Sequence, residues 1–455
     1  MSIFSSLVAA TGSLTAYSRA LEATQNNVTN QATPGYAKQR QTLESLGFDS
    51  NLGSGGGVRA GQLQSSRDEY LEQAVRRQTV AYGKGKQDVS SLTALQSAFD
   101  ISGNSGIPNA LSNLFDSFSA WAQSPSSSTA KQTVINRATD LATAFHQTAA
   151  AVTNVTLDSE KQIGQTVDQV NHLVGQLREY NLRAMEQKSR DPSLDAAIHS
   201  TLEDLSQYVD VTALNQDDGS VNVLLNGETA LLVGDRQYSL QFQMAQPSDP
   251  APAYSSSRPL ARILAPDGTD ITTHSTSGQL GSLLDFRNRI LPTYIGDAYQ
   301  PGSLNQMAQT FADNVNALLP AGAPLFTYDA SNPTATAQTF AVDPATTAAS
   351  LDANDPGPPA VANGIPLKLS AMTPPTDYGD MAARAGTALN DAKNQVEVQQ
   401  WTVAQAKQLR EQVSGVSLDE EATILVQFQR AYEATSKMIS VLDQLTQEAI
   451  NLIRI

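Results

Sequence analysis

The sequence predicts a mainly α-helical protein with an inserted antiparallel β module, and three patterns support this fold class. Apolar residues recur at steps of three and four near both chain ends, which is typical of helices that form a coiled coil. The same periodicity runs from Thr129 to about Met185 and predicts one long amphipathic helix. From Val211 the apolar period changes to two, which indicates strands.

The first helix is predicted from the N-terminal stripe and ends before a proline and a glycine. The large apolar residues of its seam are Leu7, Leu14, Leu21 and Val28. Pro34 disfavours helical angles at Thr33, and Gly35 permits a positive φ, so the helix cannot continue through this point. A polar connector follows, and its glycine-rich run at residues 53–57 is expected to be a flexible joint.

The middle of the chain is expected to contain helices on both sides of the β module. Helices are predicted at residues 67–99, 111–121, 129–185, 192–209, 279–290, 304–318 and 378–413, and loop is predicted at 320–376. Asp191 and Pro192 open the predicted helix at 192–209, because Asp is a good N-cap and Pro suits the first helical position. In the β module, Asn226 and Gly227 have the composition of a type I′ hairpin turn.

The final helix is expected to begin near Leu418. Ser417 and Glu420 have the spacing of a capping box, and Asp419 adds negative charge at the positive end of the helix dipole. Its seam contains Leu425, Phe428, Tyr432, Ile439 and Leu442. The segment order predicts nested domains: a terminal coiled-coil domain of residues 1–45 with 415–455, a helical core domain of 46–209 with 277–414, and an inserted β domain of 210–276.

Composition restricts the partners and the chemistry that this chain can use. The net charge is −16, from 29 basic and 45 acidic residues, which disfavours nucleic acid or an anionic membrane as a partner. The chain has no cysteine, which excludes disulfides and thiolate chemistry. No apolar run approaches the roughly 18 residues of a membrane span, and the N-terminus lacks the basic region of a secretory signal peptide.

The sequence offers no constellation for catalysis. The four histidines have no metal-binding spacing, no G-x-S-x-G motif occurs, and Asp217-Asp218 precedes a glycine as turn residues do. We therefore predict no enzyme activity, no cofactor and no metal. Trp121 and Trp401 both lie in predicted helices and are expected to be buried in the core or between helices.

Three separated phrases resemble proteins of the bacterial flagellum. The motif of Asn26, Asn27, Asn30, Thr33, Pro34, Gly35 and Tyr36 is similar to the N-N-hydrophobic-A-N-x-x-T-P-G-Y motif of flagellar axial proteins, with Thr29 in place of the usual alanine. The phrases at residues 277–287 and 414–434 resemble the hook-associated protein 1 family. That family stands first at the junction between hook and filament.

The resemblance implies a structural subunit that assembles by terminal helix packing onto the hook tip and provides the base for filament growth. It implies self-association in a ring and, as partners, hook protein, the second junction protein (hook-associated protein 3) and a cytoplasmic export chaperone. It also implies an extracellular location on the flagellum, with export through the flagellar type III apparatus and without a cleavable signal.

Two other interpretations remain open. A hook or distal-rod axial protein would share the N-terminal motif. A surface-binding module displayed on the flagellum would need exposed aromatic residues on the β module, where Tyr238, Phe242 and Tyr254 are available.

Overall fold

The computed structural model describes residues 3–49, 54–99, 105–187, 191–248, 250–254, 257–357 and 359–453. The helices are α1 Ile3–Thr29, α2 Glu69–Ser97, α3 Gly106–Gln123, α4 Ser128–Gln187, α5 Pro192–Tyr208, α6 Gly278–Asp285, α7 Pro292–Ile295, α8 Ser303–Leu318, α9 Thr336–Thr339, α10 Gly364–Ser370, α11 Asp377–Ser414 and α12 Leu418–Ile453. One π-helical turn, Phe286–Ile290, and two 3-10 turns, Thr272–His274 and Pro333–Ala335, complete the helical part of the described chain.

The strands form small antiparallel sheets. They are β1 Gln39–Ser45, β2 Phe48–Asp49, β3 Ser54–Gly55, β4 Val58–Ser65, β5 Val211–Asn215, β6 Val221–Leu225, β7 Thr229–Val233, β8 Arg236–Gln237, β9 Gln241–Ala245, β10 Leu260–Leu264, β11 Phe326–Thr327 and β12 Ala341–Val342. Strands β5 to β8 form one sheet in chain order, and the pairs β1–β4, β2–β3, β9–β10 and β11–β12 form the others. The predicted fold class, mainly α with an antiparallel β module, is confirmed.

Local signals placed several elements correctly. Helix α4 is a single helix of 60 residues. Asp191 caps α5 by accepting a hydrogen bond from the Leu194 amide at 2.8 Å. Asn226 and Gly227 both have positive φ, 50° and 76°, as a type I′ turn requires.

The polar connector predicted after Tyr36 contains a β-hairpin that the sequence analysis did not predict. Strand β1 pairs with β4 from Gln39 opposite Ser65 to Ser45 opposite Val58, with one irregularity between Gln41 and Leu43. The strands escape sequence analysis because their residues are mostly polar, so no apolar alternation marks them. Gly53 of the glycine-rich run lies outside the described residues.

Two hydrophobic cores share helix α4. The first is built around the N-terminal half of α4 with α3, α8 and the N-terminal half of α11, and its fully buried side chains include Trp121, Phe145 and Phe340. The second joins the C-terminal half of α4 to α5, α6 and the strands of the β module, through residues such as Ile163 and Val223. The β module is therefore packed on helices rather than on itself.

Helix-borne asparagines fasten strands to helices. Asn171 of α4 accepts a hydrogen bond from the Leu240 amide and donates one to the Leu240 carbonyl, at 2.8 and 2.9 Å. Asn181 pairs in the same way with Val221, and Asn288 with Ala261. Each side-chain amide thus takes the place of a neighbouring strand residue, which satisfies backbone groups that would otherwise be buried without partners.

The two tryptophans have opposite environments. Trp121 is fully buried in the first core, as predicted. Trp401 is 73% exposed, so its predicted burial is wrong. Helix α11 turns its other face, with Leu389, Ala392 and Val403, toward the protein interior, and Trp401 lies away from that face.

Candidate functional site at the joined chain ends

The two ends of the chain form one body in which α1 packs against α12. The rings of Tyr17 and Phe428 lie 6.4 Å apart. Phe428, Ile439 and Leu442 are half-buried along the contact, at the heptad spacing that the sequence shows. Val28 and Tyr432, which the sequence also places in the seam, are exposed in the single chain.

The most buried face of α1 consists of small residues and not of its leucines. Residues Ala10, Ser13, Ala16, Ala20 and Ala23 are buried, whereas Leu7, Leu14 and Leu21 are half-buried. The small side chains let the β1–β4 hairpin approach α1 closely. The Val58 amide of β4 therefore reaches Ser13 Oγ and donates a hydrogen bond to it at 2.9 Å. A Cβ atom at Gly57, whose φ is 109°, would lie 3.1 Å from the Ala9 carbonyl oxygen.

Asn27 of the N-terminal motif holds the helix, the hairpin and α12 together. Its Nδ2 group donates to the Gln39 carbonyl at 2.8 Å and to Glu421 Oε2 at 3.0 Å. Its Oδ1 atom accepts from the Gln39 amide at 2.8 Å and from the Tyr36 hydroxyl at 3.0 Å. Since Asn27 is 1% exposed and all four of its hydrogen-bonding positions are used, another side chain cannot replace it without leaving buried groups unpaired.

Glu421 brings a buried negative charge to this cluster. It is 2% exposed in the first turn of α12, where the helix dipole favours a negative charge. Burial, together with the nearby Glu421 carboxylate, raises the pKa of Tyr36 to about 12. Tyr36 therefore remains a hydrogen-bond donor to Asn27 at neutral pH.

The remaining residues of the motif shape the turn after α1. Asn30 Nδ2 donates to the Asn26 carbonyl at 2.9 Å, and Thr33 Oγ1 donates to Asn30 Oδ1 at 3.1 Å. The Tyr36 amide donates to the Thr33 carbonyl at 3.1 Å across Pro34 and Gly35. These bonds close the helix end, as the sequence predicts for an asparagine-rich stop.

Gly35 is the point where the motif meets the helical core. Its φ is 73°, and a Cβ atom there would lie 2.4 Å from the Ala196 carbonyl oxygen of α5. Its carbonyl accepts a hydrogen bond from Arg67 Nη2 at 2.6 Å. No other residue type fits this position without moving α5.

Arg67 opens a chain of charges that links the motif to three core helices. Its Nε donates to Asp195 Oδ2 of α5 at 2.8 Å, and its Nη1 pairs with Glu72 of α2. Glu72 also pairs with Arg410 of α11 at 3.2 Å, and Arg410 pairs with Glu203 of α5 at 2.7 Å. The Arg67 and Glu72 side chains are 7% and 4% exposed, so solvent screens this pair little.

Glu203, the last residue in this series of ion pairs, has a lowered pKa. Burial alone would raise its pKa, but hydrogen bonds from Lys407 and Arg410 and their positive charges outweigh burial and hold the pKa below its usual value. Glu203 is therefore ionised at neutral pH.

The predicted cap residues of α12 lie beside the end of α11 and the segment that follows the motif. Helix α12 begins at Leu418, as expected. Glu420, however, pairs with Lys38 Nζ at 3.3 Å, and Asp419 is exposed. The Lys38 amide donates to the Ser414 carbonyl at 2.8 Å, so the strand that follows the motif is bonded to the end of α11. Ser417 lines a cleft of about 560 Å³ between this junction and the turn at residues 31–36.

The chain matches a known family over its central helices. Residues 92–331 match the family described as flagellar hook-associated protein FlgK helical domain. The matched segment is more than half of the 455 residues. The chain belongs to this family. The FlgK resemblance seen in the sequence is thereby confirmed, and residues 408–452, which include most of α12, also match the family described as flagellar basal body rod FlgEFG protein C-terminal.

Several individual relatives are named flagellar hook-associated protein 1. Flagellar hook-associated protein 1 of Bacillus subtilis (strain 168) is 24% identical over 506 residues, covering 99% of this chain and 98% of the relative. Flagellar hook-associated protein 1 of Salmonella typhimurium (strain LT2) is 25% identical over 324 residues, with 67% of this chain and 54% of the relative covered. The match to the Escherichia coli (strain K12) protein of the same name covers 68% and 56% at 25% identity. The chain thus spans about half the length of the last two relatives.

The flagellar hook junction protein FlgK from Burkholderia pseudomallei is 23% identical, with a TM-score of 0.48, and the match covers 57% of this chain and 47% of that one.

In this FlgK family member, the structure unites some predicted site residues and adds others. It brings Asn27 and Tyr36 into one cluster with the start of α12 and places Gly35 against α5, while the Asn26 side chain is exposed. Sequence analysis missed the partners Gln39, Arg67, Glu72, Arg410 and Glu421. These partners are recognised only from burial and hydrogen bonds, which require coordinates.

Proposed function

We propose that this chain is a structural subunit of the hook–filament junction, which assembles by terminal helix packing onto the hook tip and provides the base for filament growth. Family membership supports the role, and the joined chain ends supply a body suited to helix packing. The proposed assembly seam consists of Leu7, Leu14, Leu21, Val28, Leu425, Phe428, Tyr432, Ile439 and Leu442.

One observation carries this proposal. Helix α12 has a second apolar stripe beside the one that contacts α1, and Met438, Val441 and Leu445 in it are 57%, 54% and 47% exposed. Their spacing of three and four residues places them on one side of the helix. Helix α1 cannot cover both stripes, so the second one is available to neighbouring subunits.

The partners and the route to the cell exterior belong to the same proposal. The subunit associates with itself in a ring, with hook protein below and hook-associated protein 3 above. A cytoplasmic export chaperone covers the exposed α12 stripe before secretion. Export through the flagellar type III apparatus requires no cleavable signal, and none of the described helices is long and apolar enough to cross a membrane.

The domain organisation follows the nested order, with residues 1–45 and 415–455, 46–209 with 277–414, and 210–276 as the proposed units. The β1–β4 hairpin pairs residues on both sides of position 45, so the first boundary crosses a hairpin that packs on α1.

The alternatives have less support. A hook or distal-rod protein would polymerise into long tubes, which electron micrographs distinguish from a short ring. For a surface-binding module, Phe242 packs against the second core, and Tyr238 and Tyr254 are half-buried. For an enzyme, no group of three or more His, Asp or Glu within the described ranges is placed to hold a metal ion.

The test replaces one residue of the exposed α12 stripe. Leu445→Asp should leave the monomer folded, because the side chain is about half exposed. It should block assembly, since a carboxylate would be buried without a partner between subunits, at a cost of several kcal/mol. Cells should then carry hooks without filaments and release filament protein into the medium, as seen by electron microscopy and immunoblotting.

Gln447→Asp is the matched control, because it adds the same charge two residues away on the exposed opposite side of α12. It should support normal filaments. Secreted amounts of both variants must be compared first, so that loss of export is recognised. Normal filaments on cells with Leu445→Asp would contradict the proposal.

A further inference from the structure

The outward side of α11 carries large apolar groups that no described part of the chain covers. Val398, Trp401, Leu409 and Val413 are 63%, 73%, 47% and 48% exposed. Their spacings of three, eight and four residues place them on one side of the helix, opposite the buried Ala392 and Val403. We call these four residues the α11 outer face.

The α11 outer face has few charges, and the exposed Glu397, one helical turn before Trp401, lies at its edge. No charged residue occurs from Val398 to Ala406, and the exposed polar residues on this side are Gln405, Gln408 and Gln412. The basic residues that follow, Lys407 and Arg410, are paired with Glu203 of α5. Glu411 lines the cleft beside Gly35.

Charge indicates which partner this face suits. Two copies of a chain with a net charge of −16 repel each other wherever carboxylates meet. A surface of apolar and amide side chains avoids that repulsion, and large aromatic residues such as Trp401 are typical centres of protein interfaces. Only three residues separate α11 from α12, whose exposed stripe is the proposed assembly surface, so the two surfaces lie on consecutive helices.

We propose that the α11 outer face packs against a neighbouring copy of this chain in the assembled ring. This inference rests on the proposed self-association and adds a second contact outside the terminal helices. Trp401 is its largest and most exposed side chain.

Site-directed photo-crosslinking can identify what covers the face. The chain has no cysteine, so Trp401→Cys creates a single attachment site for a thiol-linked benzophenone. Hooks are isolated from cells that express this variant, labelled and irradiated, and the crosslinked species is analysed by mass spectrometry. We expect a dimer of this chain, with a yield about tenfold or more above that of Gln400→Cys, an exposed neighbour on another side of α11.

The outcomes separate the two proposals. Protein that is present at the hook tip but crosslinked to another flagellar protein, or not crosslinked at all, overturns the α11 contact and leaves the junction role standing. Absence of the protein from isolated hooks overturns the junction role and, with it, the α11 contact.

Trp401 fluorescence gives a second readout on the unlabelled protein. Trp121 is fully buried, so quenching by acrylamide in the monomer reports mainly on Trp401. Assembly should reduce this quenching several-fold, and Trp401→Phe should abolish the change. Unchanged quenching in assembled protein would overturn the inference.

Discussion

A single amide side chain explains much of the N-terminal motif. Asn27 is the only position in the motif whose side chain bonds at once to the hairpin, to Tyr36 and to Glu421. An amide is required because the site needs two donors and two acceptors in one plane. Aspartate has the same shape but only acceptors at neutral pH.

Asn27→Asp should therefore loosen the joined chain ends. Two carboxylates would lie about 3 Å apart, and the Gln39 carbonyl would lose its donor, so we expect a local cost of roughly 3 kcal/mol or more. Hydrogen exchange across residues 20–45 and 417–430 should show lower protection than in the wild type.

The pH dependence of this defect has a defined sign. Repulsion raises the folded-state pKa of one carboxyl of the pair above its unfolded value. The repulsive part of the defect should be full above that raised pKa and should be lost as the pH falls to the unfolded value, near 4, whereas the missing second donor remains at every pH. Asn26→Asp, at an exposed neighbouring position, is the control and should show little of either effect. Equal protection in both variants would contradict the role assigned to Asn27.

At the scale of elements, helix α4 and its asparagines organise the β module. Asn181 of α4 bonds to Val221 at the start of β6, and Asn171 bonds to Leu240, directly before β9. Asn181 also donates to the Gly234 carbonyl at 2.7 Å and is fully buried. The sheet is therefore attached to α4 by hydrogen bonds as well as by apolar contact.

Asn181→Leu should destabilise the second core while sparing the first. The change leaves the Val221 amide and two carbonyl groups buried without partners, which should cost about 3 kcal/mol or more. In urea, the circular dichroism transition of the second core should move to lower concentration. The fluorescence midpoint of Trp121, which lies in the first core, should not move.

Asn154→Leu is the matched control, since Asn154 is exposed on the same helix. Its effect should stay within about 0.5 kcal/mol. A shift of the Trp121 midpoint together with the circular dichroism transition would show that the two cores unfold as one unit, contrary to this expectation.

At the scale of the whole molecule, buried charges fix the terminal body relative to the core. Arg67 bonds Gly35, Glu72 and Asp195 at once, and Arg410 continues the chain of charges to Glu203. A planar guanidinium can serve three acceptors in fixed directions, which a lysine ammonium on a flexible stem cannot. The orientation of the terminal helices should depend on this arginine.

Arg67→Lys should keep the charge but loosen that orientation. Spin labels at Gln447→Cys on α12 and Asn154→Cys on α4 report the distance between the two bodies, because the chain has no native cysteine. We expect a broader distance distribution than in the wild type. Arg59→Lys, which alters an exposed pair with Glu44, should leave the distribution unchanged, and equal distributions in all three proteins would refute the role of Arg67.

The sequence by itself determined the features that depend on neighbouring residues. The lengths of α4 and α12, the cap at Asp191, the stop at Pro34-Gly35 and the turn at Asn226-Gly227 all follow from local periodicity and backbone preference. These signals act within a few residues, so they can be recognised without coordinates. The family resemblance rests on the same short phrases.

The contacts between distant side chains can be seen only in the tertiary structure. Asn27 and Glu421 are 394 positions apart in the sequence. Strands β1 and β4 are mostly polar, so apolar alternation does not predict their hairpin. The sequence does not show which side of α11 is buried, and Trp401 lies on the exposed side. Burial and long-range pairing depend on how helices are arranged in space, and helical periodicity gives the stripe on each helix but not its partner.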